Sequence, residues 1–176
     1  NQAEASVDVT VDNTAPIVAI TSPRAGAFVS GLITVSVQAG DAISGISSVS
    51  LHVDGLQQAT LTQPPFDFPL NTLLFGSGNH TLTATAVDNS GNQAEASIIV
   101  SFDHIPPAVS ITSPASGATV SGTITVTVEA SDSISGIASV TLFVDTQPHS
   151  TLNQPPYGFS VDTSALIPGS HTLTVR

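Results

Sequence analysis

The chain has 176 residues, of which 40% are hydrophobic and 9% charged, and its formal net charge is −11. Arg24 and Arg176 are its only Lys/Arg residues, so it lacks the clustered cations that nucleic acid or an anionic membrane surface requires. The absence of cysteine excludes disulfides, thiolate nucleophiles and Cys-ligated metals, and no apolar run approaches the ~20 residues of a membrane-spanning helix.

Ser and Thr together supply 45 residues, and Thr and Val dominate the alternating runs, a composition suited to strands. In chain order, residues 1–12 place Ala5, Val7, Val9 and Val11 on one face of an expected strand. Ile17 to Ser22 is a second, ended by Pro23 and a turn at Gly26. Ile33, Val35, Val37 and Ala39 alternate with Thr34, Ser36 and Gln38, which predicts a half-buried strand. Val49, Leu51 and Val53 repeat the pattern, and Asp54-Gly55 predicts a tight turn into a weaker strand over 59–62. Pro64-Pro65 breaks that strand, and Phe66 to Leu70 forms another. Leu82, Ala84 and Ala86 alternate next, Asp88 to Gly91 turns the chain, and Ala96, Ile98, Val100 and Phe102 line the last strand. About seven strands with turn signals every 8–12 residues describe a β-sandwich.

The pattern then recurs. Asn1-Gln-Ala-Glu-Ala-Ser6 returns as Asn92 to Ser97, Ile20-Thr-Ser-Pro23 as Ile111 to Pro114, Gln63-Pro-Pro65 as Gln154 to Pro156, and His80-Thr-Leu-Thr83 as His171 to Thr174. Every offset is 91, and residues 14–85 overlay 105–176 without a gap at 38 identities in 72 positions. The repeat frame divides the chain into 1–12, a final strand belonging to a preceding repeat; 13–103, a whole repeat; and 104–176, a repeat without its final strand. These spaced motifs resemble bacterial Ig-like repeats found in tandem in secreted and surface proteins. The resemblance implies an all-β fold of tandem immunoglobulin-like β-sandwiches, and a mechanical or adhesive role outside the cell.

Two functional expectations follow. An orphan strand at one end and a missing one at the other predict an acceptor edge at Leu173 and Val175, left exposed in the second repeat. Ala5, Val7, Val9 and Val11 of another copy would fill it, giving a head-to-tail filament by strand donation; in a longer chain, flanking repeats would be the partners. The alternative is a ligand- or carbohydrate-binding accessory module of a larger secreted enzyme or adhesin. The second expectation is calcium. In an Ig-like sandwich the incoming linker, the second–third strand loop and the final hairpin share one end. Here they carry Asp12, Asn13, Asp41, Asp88 and Asn89, with Asp103 and Asp132 as counterparts in the second repeat. Residues 11–16 also resemble the acidic linkers of cadherin-like repeats.

Catalysis finds no motif: G-x-S-x-G, H-E-x-x-H and phosphate-binding glycine loops are all absent. His80 and His171 occupy equivalent positions and are expected to hold a loop by hydrogen bonding, while His52 aligns with Phe143 and cannot act in both repeats. Phe66 and Tyr157 match each other after Pro-Pro, which predicts packing rather than a sugar-stacking platform.

Overall fold

Alternating Val/Ile and Thr/Ser decides which face of each strand is buried, and that face builds the core. A computed structural model describes residues 2–176 and divides the chain into two units, Asn1–His104 and Ile105–Arg176. The first unit holds β1 (Ile17–Ser22), β2 (Phe28–Val29), β3 (Leu32–Gly40), β4 (Ile46–Val53), β5 (Leu56–Leu61), β6 (Phe66–Asn71), β7 (Gly78–Asp88) and β8 (Gln93–Phe102). They form one sheet in the order β1-β3-β6 and a second in the order β2-β8-β7-β4-β5. Val35 and Val37 of β3, Val49, Leu51 and Val53 of β4, and Leu82, Ala84 and Ala86 of β7 meet in the core with Phe66, Phe68, Val100 and Phe102. The turn after β4 takes the left-handed geometry that Asp-Gly favours, with φ of 51° at Asp54 and 80° at Gly55.

The second unit repeats this plan in β9 (Ala108–Ser113), β10 (Thr123–Ser131), β11 (Val140–Val144), β12 (Gln147–Leu152), β13 (Tyr157–Asp162) and β14 (Leu173–Val175). Its sheets are β9-β10-β13 and β12-β11-β14. The bounds of β9, β10, β12 and β13 lie 91 residues after those of β1, β3, β5 and β6. Val126, Val128, Val140, Leu142, Tyr157, Phe159 and Val161 form its core. Tyr157, like Phe66, is buried.

The remaining strands differ because the counterparts of residues 86–102 fall past residue 176. No strand of the second unit corresponds to β8. In the first unit β8 holds β2: Gly26 N–H donates to Ile99 O, Ser101 N–H to Ala27 O and Asp103 N–H to Val29 O. The matching residues, 119 and 120, form no strand. β7 has eleven residues and pairs along ten of them with β8, whereas β14 has three and pairs only with β11. β11 starts at Val140 because Ile46 and Ser48 of β4 pair with Asp88 and Val87, whose counterparts fall past residue 176. Val100 and Phe102 are fully buried. At ~1.5–3 kcal/mol per buried side chain, a unit without that strand forgoes several kcal/mol, comparable with the net stability of a small domain.

Two expectations need correction. Residues 2–12 form no strand, because a lone extended segment has no ladder to join; Val7, Val9 and Val11 lie exposed, as does Ala5, and Asn1 lies outside the described residues. Leu173 and Val175 are half-buried rather than exposed, because both pack on the core of the second unit.

Candidate functional site

Three carboxylates meet at one end of the first unit. Asp12 comes from the incoming segment, Asp41 from the loop after β3 and Asp88 from the last position of β7. Each presents an oxygen within 4.8 Å of the others. Asp88 is buried, and Asp12 retains 9% exposure.

Local turns fix each carboxylate. Asp41 Oδ1 accepts N–H bonds from Ile43 (3.0 Å), Ser44 (2.7 Å) and Gly45 (3.0 Å), an Asx-type turn that holds the loop. Asp88 Oδ1 accepts from Ser90 and Asn92 N–H, and its Oδ2 accepts from the Asn92 amide at 2.8 Å. The same Asn92 amide donates to the Asp12 carbonyl at 3.3 Å, pinning the incoming segment to the β7–β8 hairpin. Asp12 Oδ1 accepts from Thr14 N–H, while its Oδ2 is buried and has no hydrogen-bond partner. Burial pushes the Asp41 and Asp88 carboxyls up. The N–H bonds at Asp41, and at Asp88 the Asn92 side chain with its backbone donors, outweigh that, so both sit below the ordinary carboxylate value. Negative charge is thereby concentrated at one point.

Of the acidic-site residues expected from the sequence, Asp12, Asp41 and Asp88 are brought together. Asn13 and Asn89 are exposed, and the Asn89 amide donates to Ser44 O at 2.7 Å, tying hairpin to loop. In the second unit Asp132 repeats the Asp41 turn, accepting from Ile134, Ser135 and Gly136 N–H, and its Oδ2 is again buried without a partner. Asp103, the sequence counterpart of Asp12, belongs to the first unit and is partly buried.

The histidines act as loop clasps. His80 Nδ1 meets Asp54 Oδ2 at 2.6 Å and its Nε2 meets Gly76 O at 2.9 Å, while Asp54 Oδ1 accepts from Thr81 N–H. His171 repeats this with Asp145 Oδ2 at 2.9 Å and Ile167 O at 2.7 Å. His80 also stacks on Phe102, with ring centroids 4.3 Å apart, a contact that the second unit lacks with its β8. The clasp follows from the equivalent positions of His80 and His171, and its carboxylate partners are signalled by the shared spacing of 26 residues in Asp54/His80 and Asp145/His171.

The second unit carries the other candidate. One edge of β14 is unpaired, and beside it lies a groove lined by Ile111, Val120, Ile124 and Leu173 together with polar groups such as Thr119 and Ser170. Val120 is 42% exposed there, whereas its counterpart Val29 packs on the core of the first unit.

A family model described as bacterial Ig domain matches the chain twice, over residues 16–84 and 107–175, the same interval 91 residues apart. The chain belongs to the bacterial Ig domain family. No curated protein matches it by sequence. Among solved structures it is similar to fibronectin(III)-like modules of Clostridium thermocellum CbhA, at 25% identity and a TM-score of 0.58, covering 90% of this chain and 84% of that one. It is also similar to an endo-beta-1,4-mannanase from Thermotoga petrophila, at 16% identity and a TM-score of 0.44 over 52% of this chain and 20% of that one. Latent PorU from Porphyromonas gingivalis aligns over 99% of this chain and 18% of that one, at 17% identity and a TM-score of 0.45. The molecule is therefore a tandem of bacterial Ig domains, with no helix long and apolar enough to cross a membrane among the described residues.

Proposed function

We propose that the chain is a non-catalytic structural spacer of a secreted or cell-surface protein, whose bacterial Ig domains are joined by passing on a β8-type strand. The observation that carries this reading is the open β14 edge beside a groove of mixed apolar and hydroxyl side chains, in a unit four of whose strands match the first unit's bounds. The chain holds a segment with the alternation of that strand. Ala5, Val7, Val9 and Val11 stand 91 positions before Ala96, Ile98, Val100 and Phe102, the apolar positions of β8. Inserted beside β14 of another copy, they would bury surface now in water and satisfy backbone groups at an unpaired edge. The contact is heterologous and does not close, so it propagates head to tail. Within a longer chain the following repeat would supply the same strand.

Light scattering after size exclusion tests this. The full chain is expected to form concentration-dependent oligomers, and a variant lacking residues 2–12 to remain monomeric. A full chain that stays monomeric at every concentration would overturn the strand-donation reading.

A further inference from the structure

The three carboxylates at the end of the first unit are an expensive arrangement for a protein to hold without a counter-charge. Asp12, Asp41 and Asp88 come from three separate segments and place oxygens within 4.8 Å of one another. Like charges at that distance repel, and burial strengthens the repulsion. Neither Arg24 nor Arg176 answers it: no hydrogen bond or ion pair joins either to the cluster, and Arg176 lies over the Phe143 ring in the other unit. Hydrogen bonds within the turns occupy one side of Asp41 and both oxygens of Asp88. They leave a second, independent feature unexplained. Asp12 is nine-tenths buried, and its Oδ2 has no partner. A buried, unpartnered carboxylate oxygen is rare unless an ion or water answers it.

We infer that Asp12, Asp41 and Asp88 bind a hard divalent cation, calcium, which locks the incoming segment to the first unit. All the donors are oxygens, no histidine or cysteine belongs to the set, and their sequence spacing is irregular. Calcium accepts irregular oxygen cages, and water completes its shell; magnesium demands a near-octahedral one. The site bridges both sheets and the linker. Asp41 follows β3 of one sheet, Asp88 ends β7 of the other, and Asp12 follows residues 2–11, with its own carbonyl tied to the hairpin by the Asn92 amide. Binding would convert a self-repelling junction into a cross-link and fix the direction in which the preceding segment leaves the unit. The site is independent of how the second unit is completed, so it stands or falls separately from strand donation.

Titration calorimetry of the full chain with calcium chloride, after chelator treatment, tests it. One site per chain is expected, with affinity in the range of ~10⁻⁴–10⁻³ M found in extracellular modules or tighter. Asp12→Asn and Asp41→Asn, which keep an oxygen for the local turns, should each weaken binding at least about tenfold. Melting supplies a readout that survives a poorly behaved variant. In chelator, Asp12→Asn should melt at or above the unaltered chain, because a repulsion is gone; in millimolar calcium the order should reverse. Absence of binding at millimolar calcium, binding undiminished by both substitutions, or equal affinity for magnesium would each overturn the assignment.

Discussion

The two units share 38 of 72 aligned positions and differ in the strands they hold. Four strands of the second begin and end 91 residues after those of the first. The differences follow from the positions matching the end of β7 and all of β8, which lie past residue 176: the β2 counterpart is lost, β11 starts late, β14 is three residues long and a groove stays open. Local propensity evidently suffices for strands that have partners within the repeat. β2 pairs only with β8, and its counterpart is lost where β8 has none, which makes strand pairing, rather than sequence preference, the cause of its order.

The sharpest way to press that comparison is to truncate the same side chain in both units. Leu82 is fully buried between β8 and β4, and Leu173, at the matching position, is half-buried. Leu82→Ala should cost the first unit about 2–5 kcal/mol, and Leu173→Ala should cost the second about 1–2 kcal/mol, read from denaturant midpoints. Equal costs would mean that the second core is complete without a further strand.

A smaller effect tests the His171 clasp of the second unit by pH. The Ile167 carbonyl and the Asp145 carboxylate hold the His171 imidazole above its ordinary 6.5. A raised value in the folded state contributes stability that is complete below the unfolded value and is lost as pH rises through the folded one. The second unit should therefore melt at progressively lower temperature as pH rises above 6.5, and His171→Gln should remove that slope. The Asp145 carboxyl, held low by His171 and by Thr172 N–H, acts at the other end: its contribution is present above 3.8 and fades as pH falls below that.

Much of this was legible in the residues. Val35/Val37, Val49/Leu51/Val53 and Leu82/Ala84/Ala86 announce their strands by alternation, and the repeat announces where one is missing. Phe28–Val29 was not legible, because two residues carry no period and their strand rests on the backbone of β8. Residues 2–12 read as a strand and are not one here, since alternation specifies a face but cannot supply a neighbour. The acidic cluster was legible as a set of loops sharing one end. Which repeat would gather its carboxylates was not: Asp103 and Asp132 match Asp12 and Asp41 in sequence, yet Asp103 belongs to the first unit and Asp132 to the second.

Amide hydrogen exchange reads the incomplete sheet most directly. Thr174 pairs with Phe143, and Arg176 exchanges bonds with Thr141, so the Leu173 and Val175 amides face the open edge. In a chain without residues 1–12, these two amides should exchange fast while those of Leu82 and Ala84 are protected, and a peptide of residues 92–103 should slow them. Protection of Leu173 and Val175 equal to that of Leu82 and Ala84 without the peptide, or exchange indifferent to it, would contradict a unit waiting for its last strand.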